Sequence, residues 1–321
     1  MKLKIFEGFA GASGHPKIEA GWTKEARKRG HIVKLGELEN LWYEPDLHGD
    51  ILDFTAQDIL NLFDGEPPDI CCFSPPCEGF SIAGAISSNW SDWDKEKKDN
   101  FNRARWNKDY DYFNQPNVGP TPTSERSIKG RELLLHTLKI IDDLLEINPF
   151  MLYFIENPTG MMRYQPELAK RFDLLPPFEQ GLGPSETLAP SPSITHSSYA
   201  GPLSKLICGR EGHLVGHSEG TLPSRKATDI FTNAWPAFEG RRRSKNGIHA
   251  GIYHASAPRG AKTGIQGLND WIDEENGIVI GKYWLRSLIP YELGVDMINA
   301  AEAIFSEDYE WNTDTANMGW F

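Results

Sequence analysis

Short apolar runs alternate with longer segments of helical periodicity through the first half of the chain. We predict strands over residues 2–6, 31–35, 69–73 and 150–155. We predict helices over residues 16–29, 56–63 and 127–146, the second of them beginning after Thr55 as a fair N-cap. This alternation is typical of an α/β fold with a doubly wound, mostly parallel sheet. Ligands of such sheets bind beyond the carboxyl ends of the strands.

The rest of the chain departs from this pattern. Residues 86–125 are rich in Asn, Asp, Lys and Trp and lack clear periodicity, so we predict a long mobile insertion there. Residues 165–265 are rich in Gly, Pro, Ser and His, which indicates a small irregular domain. We therefore divide the chain into a main domain over 1–164, the small domain, and a return segment over 266–321. That segment holds a helix near 291–305 and an acidic tail.

Composition restricts the class of protein. The chain has 321 residues, of which 39% are hydrophobic and 24% charged, as in ordinary globular proteins. It has no apolar run long enough to span a membrane, and its N-terminal run is too short for a signal peptide. Three of the four cysteines are crowded at Cys71, Cys72 and Cys77, and Cys208 is remote. We predict a cytoplasmic protein without disulfides, and without a metal site because no CxxC pair occurs.

The charge is unevenly distributed. The formal net charge is −12, but residues 201–265 hold ten Lys and Arg against four Asp and Glu, a balance of +6. Residues 266–321 hold two against eleven, a balance of −9. A basic segment in an acidic protein can place cations along a phosphate backbone. A solvent-facing loop surface explains the same charges, so charge alone leaves both interpretations open.

Candidate chemistry lies at the ends of two predicted strands. Cys77 follows the strand over 69–73 on a turn that two prolines stiffen, and Glu156 follows the strand over 150–155. A thiolate can add to an electron-poor ring while a carboxylate holds the ring and shares its proton. Cys71 and Cys72 lie inside the strand, where core packing is the more common role.

A glycine-rich turn over residues 8–14 follows the first strand and precedes the first predicted helix. Glycines let a backbone approach a ligand closely, and a helix N-terminus favours polar or anionic groups. The turn does not fit the GxGxxG pattern of dinucleotide sites. An ordinary tight turn remains the alternative.

The two strand-end motifs, Pro75-Pro76-Cys77 and Glu156-Asn157-Pro158, together resemble the DNA (cytosine-5) methyltransferases, and most closely the compact bacteriophage-type enzymes. The resemblance implies that Cys77 adds to cytosine carbon 6 and that Glu156 holds ring nitrogen 3. It also implies base contacts from Pro76, Asn157 and Arg225. Amino-methyltransferases also carry Ser-Pro-Pro, but an aromatic residue follows it there, whereas Cys77 follows it here.

The same resemblance implies S-adenosylmethionine as the cofactor. The turn looks like the family's Phe-x-Gly-x-Gly turn, which holds the methionine half, although Ser13 stands where the second glycine is usual. Glu37, or Glu39 as the alternative, would accept the ribose hydroxyls. Asp50 would accept from the adenine amine, although an Asp that starts a helix is an alternative there. The full set of expected cofactor residues is Phe9, Ala10, Gly11, Gly14, Glu37, Asp50, Ile51 and Pro75.

The resemblance continues in residues 224–233, 257–267 and 286–293. It implies a Rossmann-like catalytic domain with a target-recognition domain over 165–265, acting as a monomer on double-stranded DNA whose cytosine is flipped out of the stack. The family's Gln-x-Arg-x-Arg motif is not recognisable. The expected DNA-contacting residues are Arg241, Arg242, Arg243, Lys245, Arg259 and Lys262. An RNA cytosine-5 methyltransferase and a catalytically inactive DNA-binding protein with this fold remain alternatives.

Overall fold

A parallel sheet forms the centre of the protein. The computed structural model describes residues 1–18, 21–39, 42–80, 89–91, 93–107, 109–158, 160–171, 197–198, 227–234, 270–281, 284, 289 and 291–306. Seven strands form the main sheet: β1 (Lys4–Gly8), β2 (Ile32–Glu37), β3 (Leu47–His48), β4 (Ile70–Phe73), β7 (Leu152–Pro158), β8 (Ser197–Ser198) and β9 (Ala227–Thr232). The remaining strands pair as β5 (Trp90–Ser91) with β6 (Thr121–Pro122), and β10 (Trp271–Asp273) with β11 (Ile278–Ile280).

The strand order in the main sheet is β3-β2-β1-β4-β7-β9-β8. The five strands from β3 to β7 are parallel, and β9 runs antiparallel to both β7 and β8. The chain leaves β1 towards one edge and returns to start β4 on its other side, so the strand order reverses between β1 and β4. This is a doubly wound α/β fold of Rossmann-like order, as predicted, with its switch point at the carboxyl ends of these two strands.

Helices cover both faces of the sheet. They are α1 (Lys24–Lys28), α2 (Ala56–Asn61), α3 (Lys95–Trp106), α4 (Tyr110–Asn114), α5 (Glu125–Ile147), α6 (Pro166–Ala169) and α7 (Tyr291–Ile304). Residues of α2 and α5 share one apolar core with Phe73 and Ile155. Residues of α1 and α7 share a second core with Ile5 and Phe154, on the opposite face. Successive residues of a strand point to opposite faces, so each strand supplies both cores.

Local chemistry explains two helix starts. Thr55 accepts a hydrogen bond from the backbone N–H of Asp58, whose carboxylate accepts from Thr55 in return, which confirms the predicted N-cap. Ser124 and Ser127 form the same reciprocal box at the start of α5. The predicted helix over 16–29 is largely wrong, because α1 begins only at Lys24. Gly21 has a φ of +96°, which an α-helix does not contain.

The predicted insertion over residues 86–125 contains several elements. The described part, 89–125 without residues 92 and 108, forms β5, β6, α3 and α4. Trp90, Phe101 and Phe113 are almost fully buried in the first core. The sequence showed little hydrophobic periodicity because α3 is strongly charged and buries only a few of its residues. The described residues of this segment therefore form regular elements that pack on the first core.

Strands β8 and β9 lie beyond the boundary predicted at residue 165, and they pair within the main sheet. Ile230 and Phe231 are buried on opposite faces, one in each core. The Asn233 side chain accepts from the backbone N–H of Tyr153 at 2.9 Å and donates to the carbonyl of Met151 at 2.9 Å. The buried apolar residues of β9 and these two hydrogen bonds of the Asn233 side chain hold β9 against β7. Among the described residues, no helix is both long and apolar enough to cross a membrane.

Candidate functional site

A cavity of about 300 Å³ lies at the carboxyl ends of the first strands. It is lined by the glycine-rich turn, the ends of β2 and β3, the segment after β4, and one side of α5. The lining residues are Phe9, Ala10, Gly11, Ala12, Ser13, Gly36, Glu37, Leu38, Glu39, Gly49, Asp50, Ile51, Phe54, Ser74, Pro76, Cys77, Glu78, Lys129, Leu133, Trp284 and Ile289. The predicted cysteine and most of the predicted cofactor residues therefore meet in one cavity.

Two contacts fix the turn that carries Cys77. Ser74, directly after β4, accepts a hydrogen bond from the indole N–H of the buried Trp22 at 2.9 Å. Cys77 starts a short 3-10 turn that ends at Gly79. A Cβ on Gly79 would lie 2.6 Å from the Arg126 carbonyl oxygen and 3.2 Å from the Gly130 Cα. Only glycine lets the cysteine turn pack this closely on α5.

The other two cysteines of the cluster are core residues, as expected. Cys71 and Cys72 are fully buried in β4, and Cys72 contacts Met297 of α7. Burial raises the pKa of both thiols above the ordinary value for cysteine. Cys77 is half-buried and faces the cavity, so it is the thiol of this cluster that a ligand can reach.

The second motif lies beside the first because β7 pairs with β4, with Ile155 opposite Phe73. The Asn157 side chain donates to the Pro75 carbonyl at 2.9 Å and so ties the two strand-end segments together. Asn157 is fully buried, and Glu156 is only 6% exposed. Neither side chain lines the cavity, and nor does Pro75. Their expected contacts with a ligand stay a prediction.

The glycine-rich turn has the backbone conformation expected of a close-approach site. Phe9 and Gly11 both have positive φ, 60° and 52°. Apart from Gly11 and its two chain neighbours, no residue has an atom within 4 Å of the place where a Gly11 Cβ would stand. Gly14 is different, because a Cβ there would lie 2.0 Å from Cζ of the Tyr43 ring. Gly14 does not line the cavity, and its expected contact with the cofactor stays a prediction.

Glu37 connects the turn to β2. One carboxylate oxygen accepts from the Gly11 backbone N–H at 2.6 Å, and the other accepts from the Leu38 N–H at 2.8 Å. Burial raises the pKa of Glu37, an effect that these backbone donors partly offset. A carboxylate has about four lone-pair sites, so Glu37 keeps acceptor capacity for a ligand. Glu39 also lines the cavity but is exposed.

Asp50 shows both of the features considered for it. One carboxylate oxygen accepts from the Leu52 backbone N–H at 3.0 Å and so caps the short 3-10 turn Ile51–Asp53. The other lies 3.6 Å from Nζ of Lys129. Asp50 also lines the cavity, so capping does not remove it from the site.

Several lining residues were not predicted. Lys129 and Leu133 reach the cavity from α5, and Trp284 and Ile289 reach it from the return segment. Trp284 packs edge-on against Trp42, with ring centroids 4.9 Å apart. For α5 the sequence contained a usable pattern. Lys129 and Leu133 are four residues apart, so they lie on the same face of the helix. For Trp284 no local pattern distinguished a lining residue from a core residue.

The remaining predicted residues lie outside the described part of the chain, so their positions stay predictions. They are Arg225, Arg241, Arg242, Arg243, Lys245, Arg259 and Lys262. Cys208 also lies outside it. Within the described ranges, no group of three or more His, Cys, Asp or Glu side chains is arranged to hold a metal ion.

Comparison with known proteins adds little. No protein-family model and no curated protein matches the chain. One similar solved structure is an E. coli prophage protein described provisionally as a DNA modification methyltransferase. The two are 16% identical with a TM-score of 0.33, and the match covers 72% of this chain. It spans only 46% of that protein's chain. At this TM-score the likeness carries no argument about the site or its chemistry.

Proposed function

We propose that this protein transfers a methyl group from S-adenosylmethionine to carbon 5 of cytosine in DNA. One observation carries the proposal. Cys77, on its glycine-packed turn, lines the same cavity as Gly11, Glu37 and Asp50. A candidate nucleophile and three candidate cofactor contacts thus share one space at the switch point of a doubly wound sheet, where ligands of this fold class bind.

The residues of the cavity fit the proposed cofactor. The open space at Gly11 admits a ligand close to the backbone. Glu37 and Asp50 retain free lone pairs, and the cofactor offers them ribose hydroxyls and an adenine amine as donors. Ile51, Phe54 and Leu133 also line the cavity and would supply apolar contacts for the purine ring. When bound, S-adenosylmethionine supplies an electrophilic methyl group on a sulfonium.

Cys77 and Glu156 would act on the base. The Cys77 thiolate forms a bond to ring carbon 6, and the electron pair of the 5,6 double bond moves to carbon 5. Glu156 shares a proton with ring nitrogen 3 and so offsets the negative charge that develops on the ring. Carbon 5 would take the methyl group, which leaves S-adenosylhomocysteine as a neutral thioether. A base would then remove the proton of carbon 5, and the electrons of that C–H bond would re-form the 5,6 double bond as the bond between Sγ and carbon 6 breaks. The thiolate is regenerated at the end.

The Asn157 bond to the Pro75 carbonyl supports this pairing, because it holds the Glu156 segment against the cysteine segment. A cytosine inside a duplex cannot reach Cys77, so the target base would be flipped out. We propose that residues 165–265, apart from the two strands in the main sheet, recognise the target. The basic residues between 241 and 262 would contact phosphates. We also propose that the protein acts as a monomer in the cytoplasm. If it is encoded by a phage, this would be the cytoplasm of the host cell.

A methyl-transfer assay tests this function. Purified protein and S-adenosylmethionine with a labelled methyl group are incubated with duplex DNA or with RNA, and the product is hydrolysed to nucleosides. We expect label in 5-methylcytosine from DNA. Label in N4-methylcytosine or N6-methyladenine would overturn the cytosine-5 assignment. Label in RNA alone would establish the RNA alternative, and no label in either would favour an inactive binding protein.

A further inference from the structure

Trp90 joins the segment after the cysteine turn to the turn itself. Its indole N–H donates to the Gly79 carbonyl at 2.7 Å. Its ring stacks on that of Phe80, with the centroids 5.7 Å apart and the planes at 26°. Trp90 is 4% exposed and Phe80 is fully buried, so both contacts are shielded from water. Trp90 therefore holds two successive residues at the end of the turn that begins with Cys77.

The Gly79 carbonyl needs a donor that the turn cannot supply. The Phe80 N–H donates to the Cys77 carbonyl at 3.0 Å and so closes the 3-10 turn. The last carbonyls of a helical turn receive no hydrogen bond within it, and a buried carbonyl without a donor is unfavourable. The indole N–H supplies the donor from β5, eleven positions further along the chain.

Trp90 is itself fixed to the helix on which the turn packs. Its strand, β5, pairs with β6, which ends two residues before Ser124, the N-cap of α5. The Thr123 N–H donates to the Asn89 carbonyl at 2.9 Å and extends this pairing. Helix α5 in turn packs against Gly79. The tryptophan, the turn and the helix thus form one closed unit, in which both the indole and the helix hold the turn.

We propose that Trp90 is a positioning residue for Cys77, because its N–H and its ring fix the end of the turn and so keep the thiol at the cavity. The inference rests on the proposed function, in which Cys77 is the nucleophile. It gives the segment over 89–125 a part in the reaction, although none of its described residues lines the cavity. A thiol that must reach one ring carbon depends on such fixing.

The substitution Trp90→Phe keeps an aromatic ring against Phe80 and removes the N–H. It should lower kcat for methyl transfer about 10- to 100-fold, because a misplacement of about 1 Å can cost 100-fold. The Kd for S-adenosylhomocysteine and the KM for duplex DNA should keep their wild-type values, because Trp90 does not line the cavity. Phe80→Leu keeps the hydrogen bond and removes the stacked ring, and it should show the same split between kcat and binding.

Trp93→Phe is the matched control. Trp93 belongs to the same segment and packs on Phe101 and Tyr164. Its indole nitrogen is buried, but it has no hydrogen-bond partner among the described residues. This variant loses the same atoms as Trp90→Phe and should keep the wild-type kcat. A fall in melting temperature that both variants share therefore does not explain a difference in kcat.

Alkylation of Cys77 by iodoacetamide gives a second readout, which needs no methyl transfer. Cys208→Ser removes the cysteine outside the described residues, and tandem mass spectrometry locates the label. The alkylation rate of Cys77 should rise about two- to tenfold in Trp90→Phe, the factor by which loss of one hydrogen bond favours an open turn. It should not change in Trp93→Phe.

Wild-type kcat together with the wild-type alkylation rate in Trp90→Phe would overturn the inference. So would an equal loss of kcat in Trp93→Phe, or a parallel loss of affinity for S-adenosylhomocysteine in Trp90→Phe. If the wild type transfers no methyl group, the proposed function fails, and the alkylation rates still decide whether Trp90 holds the cysteine turn.

Discussion

The contact between Gly79 and α5 predicts how sensitive the site is to the position of Cys77. In Gly79→Ala, the new Cβ would lie 2.6 Å from the Arg126 carbonyl oxygen, a backbone atom that a rotamer change cannot move. Restoring an ordinary contact requires a shift of roughly 0.5–1 Å in the turn or the helix. Overpacking of this kind costs about 1–3 kcal/mol of folding free energy. Gly79 does not have a positive φ, so the contact alone opposes alanine.

Cys77 is two residues from Gly79 on the same turn, so the shift moves the thiol. A misplacement of about 1 Å can lower the rate of a positioned reaction about 100-fold. We therefore expect Gly79→Ala to lower kcat for methyl transfer about 100-fold while the Kd for S-adenosylhomocysteine stays within the error of the wild type.

Gly130→Ala provides a graded comparison from the other side of the same contact. Its Cβ would lie 3.3 Å from the Gly79 Cα and from the Phe80 ring, which is tight but not prohibitive. Alanine also favours a helix by about 1 kcal/mol over glycine. This variant should keep its melting temperature and lose less than about tenfold in kcat. Single-turnover kinetics and thermal unfolding measure both variants. Wild-type kcat in Gly79→Ala, with a correctly folded protein, would refute the reasoning.

Three other predictions concern Glu37 and the basic residues. Glu37→Gln should weaken S-adenosylhomocysteine binding by about 1–3 kcal/mol in calorimetry, since charge-assisted hydrogen bonds are lost. Burial raises the Glu37 pKa, so this carboxyl stabilises the apoprotein in acid and the stabilisation is lost as pH rises through the raised pKa. Thermal unfolding of the glutamine variant should lack that decline, and an identical pH profile would contradict it. For DNA, alanine substitution of four basic residues should weaken binding to all sequences and flatten the salt dependence by about one slope unit per lost phosphate contact. An unchanged slope would mean that they face solvent. The four residues are Arg241, Arg242, Arg243 and Lys245.

Sequence patterns were informative where one local rule decides the structure. A short apolar run followed by Pro-Pro-Cys placed Cys77 at the end of β4. The family resemblance placed Glu37 and Asp50 at the ends of the second and third strands, and both residues line one cavity with Cys77. Alternation of runs and helical segments predicted the parallel sheet, because burial on both faces requires such runs.

Sequence patterns failed where distant segments decide the structure. The packing of the Tyr43 ring over Gly14 was not predicted, because a contact across 29 positions leaves no local signal. Residues 227–232 looked like part of an irregular domain because strand β9 is isolated between segments of different composition. Its partner is β7, about 75 residues earlier. Trp284 is a similar case, because it lines the cavity from the return segment, far along the chain from most of the other lining residues.

The central claim is that Cys77 forms a covalent bond to cytosine. Duplex DNA that contains 5-fluorocytosine tests it, because carbon 5 of that base has no proton to lose and the adduct cannot resolve. With S-adenosylmethionine present, the wild type should form a denaturant-resistant complex, and mass mapping should place the DNA on the peptide that contains Cys77. Cys77→Ala should form no complex and still bind S-adenosylhomocysteine. Methyl transfer at the wild-type rate by Cys77→Ala, or an adduct on another cysteine, would contradict the account.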